Sequence, residues 1–106
     1  MAEFLVTASY SSEGVKGVLK TGGTARVEAV SKAVQGLGGT MRSFHFAFGG
    51  DDAIVIVELP DNVAAAALGL AVASTGLASV KTTVLLTPND IDDAAKRQVA
   101  YTPPGK

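Results

Sequence analysis

The sequence predicts an α+β domain with the element order β-α-β-β-α-β, followed by a short C-terminal helix. Three observations support this prediction. Residues 3–10 and 79–87 alternate between two sets of side chains, as half-buried strands do. Residues 40–48 and 53–59 form two further strand patterns, joined by the tight turn Gly49-Gly50-Asp51-Asp52. One apolar pattern of helical spacing precedes this hairpin and another follows it.

The first helical pattern breaks and restarts. Ser11 and Ser12 offer a cap at its start, because a hydroxyl oxygen can accept a hydrogen bond from a free amide of the first turn. The pair Gly22-Gly23 interrupts the pattern, since glycine weakens helical order. The restarted segment carries an apolar stripe and ends at Gly38-Gly39. We therefore expect two consecutive helical segments between the first two strands.

The strand over residues 53–59 is apolar on both faces until Glu58. Such a strand needs cover on two sides, whereas a chain of 106 residues has one modest core. The sequence therefore predicts that helices cover one face and that another copy of the protein covers the other. A cavity between the copies is the first place to look for function.

The last third of the chain completes the predicted domain. An alanine-rich pattern over about residues 63–75 predicts a helix, and Thr87-Pro88-Asn89-Asp90 begins the short C-terminal one. We expect residues 1–98 to form a single domain and residues 99–106 to form a flexible tail.

This order of elements is that of the ferredoxin-like fold, a four-stranded antiparallel sheet with helices on one face. Right-handed crossovers give the strand order 4-1-3-2. The other face is predicted to be open and to carry a mixed set of side chains: Leu5, Thr7, Ser9, Met41, His45, Ala47, Lys81, Thr83 and Leu85. Such a face suits a wet interface between copies that encloses a pocket.

The composition argues against several classes of function. The 9 Lys and Arg residues balance 10 Asp and Glu residues, so we expect neither a nucleic-acid partner nor attachment to an anionic membrane. With no cysteine and one histidine, we expect no disulfide and no metal site. No particular cofactor is indicated. The N-terminus lacks a signal peptide pattern and no apolar segment reaches about 20 residues, so a cytoplasmic location is expected.

The chain resembles the small bacterial GYD domain proteins over about residues 3–87. The residues that carry the resemblance are Ser12-Glu13-Gly14-Val15-Lys16-Gly17, Ala25-Arg26-Val27-Glu28-Ala29, Leu37-Gly38-Gly39, Gly49-Gly50-Asp51-Asp52 and Val57-Glu58-Leu59-Pro60-Asp61. The turn in that family typically reads Gly-x-Tyr-Asp, so Asp51 stands here in place of the tyrosine.

The resemblance also implies an assembly. Such proteins are similar to the dimeric α+β barrel group, in which two ferredoxin-like sheets pack through their open faces. That group includes haem-degrading monooxygenases, other oxygenases, dehalogenating enzymes and ligand-binding regulatory domains. The resemblance therefore supports the fold and assembly into a homodimer or higher homo-oligomer, and it points to no single activity.

Two residues are candidates for catalysis. His45 is the only histidine, and a side chain whose unperturbed pKa is near neutrality suits a general base, or a metal or haem ligand, in the open-face pocket. Its simpler interpretation is a strand residue at a subunit contact or facing solvent. Glu58 interrupts an apolar strand and is either a pocket carboxylate or half of a structural ion pair, with Lys81, Arg26 or Lys16 as its partner.

A second set of polar residues is a candidate for ligand binding. Arg26 and Lys16, on the split helix, would together hold an anionic substrate, or else form part of a solvated helix face. Asp52 most simply caps the hairpin turn. The full set of candidate ligand-binding residues is Thr7, Ser9, Arg26, Lys16, Lys81 and Thr83.

The favoured function is a homo-oligomeric small-molecule-binding domain of undetermined ligand, with its pocket on the open sheet face at the subunit interface. The alternative is a small α+β barrel enzyme, oxygenase- or isomerase-like, that acts on a small organic compound with His45 and Glu58 as acid and base. A third interpretation is an accessory subunit of another protein.

Overall fold

A computed structural model describes all 106 residues as an α+β fold with one four-stranded antiparallel sheet. In chain order the elements are β1 (Ala2–Tyr10), α1 (Ser12–Thr21), α2 (Gly23–Gly36), β2 (Thr40–Phe46), β3 (Ala53–Leu59), α3 (Asn62–Ala73), β4 (Ala78–Leu85) and α4 (Pro88–Lys96). The strands lie in the order β2-β3-β1-β4, so the predicted order is confirmed. The predicted ferredoxin-like fold is confirmed with it.

The helical segment after β1 breaks at the predicted glycine pair. The side chain of Ser11 accepts a hydrogen bond of 3.2 Å from the backbone N–H of Gly14 and so caps α1. Gly22 separates α1 from α2 with a φ of 86°, which glycine adopts without a steric penalty. The predicted interruption and restart are therefore confirmed.

The core lies between the sheet and the helices. It contains alternate residues of β3 together with residues of β1, α2 and α3: Ala53, Val55, Val57, Leu59, Phe4, Val34, Ala65 and Leu68. The intervening residues of β3 lie on the opposite face, where Ile54 is 38% exposed. Helices thus cover one face of β3 only, as predicted, and the other face of the sheet is open.

β2 contains a bulge that its sequence pattern hides. Met41 pairs with Val57 and Ser43 pairs with Ile56, so Arg42 is an extra residue on β2. Met41 packs against the core. The prediction that Met41 lies on the open face is therefore wrong, because one inserted residue reverses the alternation of side chains that follows from strand geometry.

The C-terminal helix lies away from the body of the domain. Thr87 and Asp90 form a capping box at its start. None of its residues is buried, and Ile91 is 53% exposed. The Cα radius of gyration is 16.9 Å, against about 13 Å for a compact domain of this length. The longest dimension of the molecule is 57 Å. Neither α4 nor any other helix is long and apolar enough to cross a membrane.

Candidate functional site

The open face presents rows of side chains that cross all four strands. Two neighbouring rows are His45, Ile54, Thr7, Lys81 and Ser43, Ile56, Leu5, Thr83. The central strands supply the apolar members and Thr7, and the edge strands supply only polar ones. Ser9 lies on the same face, opposite Ser79. Four of the six candidate ligand-binding residues, on β1 and β4, are therefore brought together on this face.

The two candidate catalytic residues share this face but do not converge. His45 pairs with Ile54, whereas Glu58 lies four residues further along β3. At about 3.3 Å per strand residue, roughly 13 Å separates their positions along the sheet. A general acid or base has to come within hydrogen-bonding distance of the group it protonates or deprotonates. One subunit alone therefore does not bring the two groups to the same atom, and the enzyme alternative stays a prediction.

Glu58 forms an ion pair with a residue that the sequence pattern did not identify. Nε of Arg42 lies 2.8 Å from Oε1 of Glu58. Arg42, the extra residue of the bulge on β2, lies two residues beyond Thr40, which pairs with Glu58. None of the three cations predicted as its partner is the partner, because that choice assumed an uninterrupted strand. The interpretation of Glu58 as half of an ion pair agrees with this geometry.

The remaining cations lie in three separate places. Lys81 lies 3.8 Å from Asp51, the residue that stands in place of the family's tyrosine, and so joins β4 to the hairpin turn. Lys16 pairs with Glu13 on the exposed surface of α1, at 3.1 Å. Arg26 instead lines a cavity on the opposite side of the sheet from Lys81. No group of three or more His, Asp or Glu side chains forms a candidate metal site.

The largest cavity lies between the helices and the sheet. Its volume is about 470 Å³, within the usual range for sites that bind small molecules. α2 packs mainly against β2 and α3 mainly against β4, the two edge strands, so the cavity forms over the centre of the sheet. Small residues at facing positions keep it open, among them Ala8, Ala33, Ala53 and Ala71. Some of its lining residues, among them Ala33, Ala71 and Thr75, are exposed, so the cavity is open to solvent. A concave apolar space of this size is a candidate binding site.

The lining of the cavity is apolar except for a few groups. It consists of 21 residues, of which 16 are hydrophobic, and Arg26 is the only charged one among them. Tyr10, Thr21 and Thr75 carry hydroxyl groups. Those of Thr21 and Thr75 donate to the backbone carbonyls of Gly17 and Val72, so towards a ligand they can act only as acceptors. Arg26 and Tyr10 both line this cavity. Burial raises the pKa of the Tyr10 phenol, and Arg26 is close enough for its charge to oppose that rise. An apolar space with a small number of polar groups is the usual composition of a small-molecule site.

Tyr10 is held in place from its backbone. Oδ2 of Asp52 accepts a hydrogen bond of 2.8 Å from the backbone N–H of Tyr10, and the N–H of Asp52 donates to the carbonyl of Ala8 at the same distance. Asp52 therefore joins the end of β1 to the start of β3, rather than bonding only within the hairpin turn. These two hydrogen bonds fix the end of β1 from which the phenol extends into the cavity.

The environment of Tyr10 makes stability sensitive to alkaline pH. Burial raises the pKa of its phenol above 10.0, and the nearby Asp52 adds to the rise while Arg26 opposes it. The folded chain then keeps the proton at pH values where the unfolded chain releases it. We expect the free energy of unfolding to fall as the pH rises through 10. Urea titrations of Tyr10→Phe should show a smaller fall, whereas exposed Tyr101→Phe should match the wild type.

The sequence predicted one residue of this region as a site residue, but not the region itself. Arg26 belongs to the predicted set of ligand-binding residues, whereas Tyr10 and Thr21 do not. The predicted pocket lies on the open face between subunits, while the cavity lies on the helix-covered face. The sequence feature that could have predicted the cavity is the set of alanines that line it, Ala8, Ala33, Ala53 and Ala71. Small residues on both layers of a core leave space unless large residues face them.

The comparisons with known proteins concern the family and the fold of this chain. The comparison with curated proteins and the comparison with solved structures gave no match. The sequence profile of the GYD domain family matches residues 4–95. This match runs from β1 into α4 and includes every strand and the residues around the cavity. The chain therefore belongs to the GYD domain family.

Proposed function

We propose that this chain is a small-molecule-binding domain and that the cavity between the helices and the sheet holds the ligand. The observation that carries the proposal is a concave space of about 470 Å³, open to solvent on one side and lined mainly by aliphatic side chains. Burying apolar surface contributes about 25 cal/mol per Å², so a ligand with an apolar body gains affinity from most of this lining. The hydroxyl groups and Arg26 would fix its orientation.

The proposed site differs from the one that the sequence pattern favours. The open face is a nearly flat arrangement of side chains in one subunit, whereas the cavity is already concave without a partner. We therefore prefer the cavity as the ligand site and assign the open face to contact between two copies of the chain. The homo-oligomer remains part of the proposal, supported by the exposed apolar centre of that face.

A neutral apolar probe tests the proposed site. We expect 2-naphthalenemethanol, used first in a panel of small apolar alcohols, to bind and to raise the melting temperature. A ligand at 100 times its Kd adds about 2.7 kcal/mol of stability. Ala8→Phe, which places a ring in the cavity, should abolish binding measured by calorimetry. Ala66→Phe adds the same ring at an exposed position of α3 outside the cavity, and it should leave binding unchanged.

Two results would contradict this proposal. In one, no member of the panel changes the melting temperature of the wild type. In the other, Ala8→Phe remains folded and binds the probes as the wild type does, which would place their binding elsewhere on the molecule. Circular dichroism of each variant separates loss of binding from loss of the fold.

A further inference from the structure

Arg26 lines the cavity and has no ion-pair partner. The three ion pairs of the protein join Lys16 to Glu13, Arg42 to Glu58 and Lys81 to Asp51, and none includes Arg26. Arg26 is partly buried, and no other charged residue lines the cavity. Burying a charge costs free energy unless a partner offsets the loss of water. Arg26 is therefore held where an anion would relieve that cost.

A purely structural role does not account for this position. Arg26 lies in the first four residues of α2, which begins at Gly23. A positive charge near a helix N-terminus is unfavourable, because the helix dipole is positive at that end. No acidic residue in the first turn offsets it. Neither the helix nor an ion pair therefore explains a cation at this position, whereas a bound group of opposite charge would.

Tyr10 supplies a second donor at the same end of the cavity. Its phenol keeps its proton at neutral pH, as tyrosines ordinarily do, and burial raises its pKa further. A protonated phenol donates one hydrogen bond, and a guanidinium donates two parallel bonds to the two oxygens of a carboxylate. The anchored backbone of Tyr10 limits how far this donor can move. The two residues together present the donors that a planar carboxylate accepts.

We propose that the ligand is a small apolar carboxylate, whose carboxylate group binds Arg26 and Tyr10 and whose apolar body occupies the rest of the cavity. This inference rests on the proposed function, since it names the class of ligand for the same site. The lining matches both parts of such a molecule: one charged residue at the polar end and 16 hydrophobic residues around the remainder.

A matched pair of probes separates the charge from the apolar body. 2-Naphthoate and 2-naphthalenemethanol share the same ring system and differ in the anionic group. We expect the wild type to bind the carboxylate about tenfold more tightly or better, as hydrogen bonds to charged groups allow. Arg26→Met should remove this preference, because it should weaken binding of the carboxylate far more than binding of the alcohol. Arg26→Lys should restore part of it, because the charge returns without the planar pair of donors.

Lys16→Met is the matched control. It removes one positive charge from the preceding helix, at an exposed position outside the cavity. The preference for the carboxylate should persist in this variant. Tyr10→Phe should weaken binding of the carboxylate more than binding of the alcohol.

The outcomes distinguish this inference from the proposed function. If both probes bind the wild type equally, the cavity binds small molecules but the carboxylate class is wrong. If Arg26→Met and Lys16→Met reduce the preference alike, the effect belongs to net charge and the assignment to Arg26 is overturned. If neither probe binds, the proposed function fails and the inference fails with it.

Discussion

Gly14→Ala is expected to destabilise the domain by about 2 kcal/mol, although alanine is the better helix former. A Cβ atom at Gly14 would clash with the carbonyl oxygen of Leu77 and would lie 3.3 Å from Cβ of Tyr10. The near obstacle is backbone, so no change of side-chain rotamer relieves the clash. α1 would have to move away from the segment between α3 and β4, and the bond from the Ser11 amide to the Leu77 carbonyl would be disturbed.

Gly17→Ala gives the matched control on the same helix. Nothing lies within 4 Å of a Cβ atom built at Gly17. Alanine there should stabilise the domain by about 0.5–1 kcal/mol, because it lowers the entropy cost of helix formation. Urea unfolding of both variants measures the two effects, which should have opposite signs. Equal stability of the Gly14 and Gly17 variants would contradict the close approach of α1 to Leu77.

The parts of the fold that local sequence patterns specify were predictable. The glycine pair around Gly22, the hairpin turn at residues 49–52 and the alternation of β1 each act over a few neighbouring residues. Right-handed crossovers then leave little freedom in the order of the strands. These features depend on the backbone preferences of a few residues and on the periodicity of apolar side chains. Both can be recognised in a single sequence.

The parts that depend on register and packing were not predictable. The bulge at Arg42 adds one residue to β2, and nothing in the alternation of this segment shows where pairing with β3 slips. The partner of Glu58 follows from that slip. The cavity depends on which small residues of α2, α3 and the sheet face each other, and this juxtaposition is known only once the layers are assembled.

The same distinction between local pattern and assembled packing applies to the candidate site. Residue types suited to binding an anion can be recognised in the sequence, and Arg26 and Lys16 are both of such a type. Their surroundings cannot be recognised there: Lys16 has an acidic neighbour three residues away and lies in solvent, whereas Arg26 lies in an apolar cavity. Both cations lie on the split helical segment formed by α1 and α2. What distinguishes them is their position relative to the sheet.

Ile54→Lys is expected to convert a dimer into monomers. Ile54 lies on a central strand of the open face, opposite His45 and Thr7, and is 38% exposed in one subunit. In a lone subunit a lysine at this position reaches water. If the open faces of two copies pack together, the same lysine would be buried without a partner, and burying an unpaired ammonium group costs far more than a contact between two isoleucines contributes.

Light scattering at micromolar concentration measures the result directly. The wild type should have twice the mass of the 10.7 kDa chain, and Ile54→Lys should have the mass of one chain with its circular dichroism unchanged. Leu70→Lys is the control, because it makes the same kind of change at a 72% exposed position of α3 and should leave the dimer intact. A monomeric wild type would contradict the assignment of the apolar open face to contact between two copies. If Ile54→Lys remains a dimer, the contact lies on another surface. The exposed side chains of α4 and of the C-terminal residues would then be tested next.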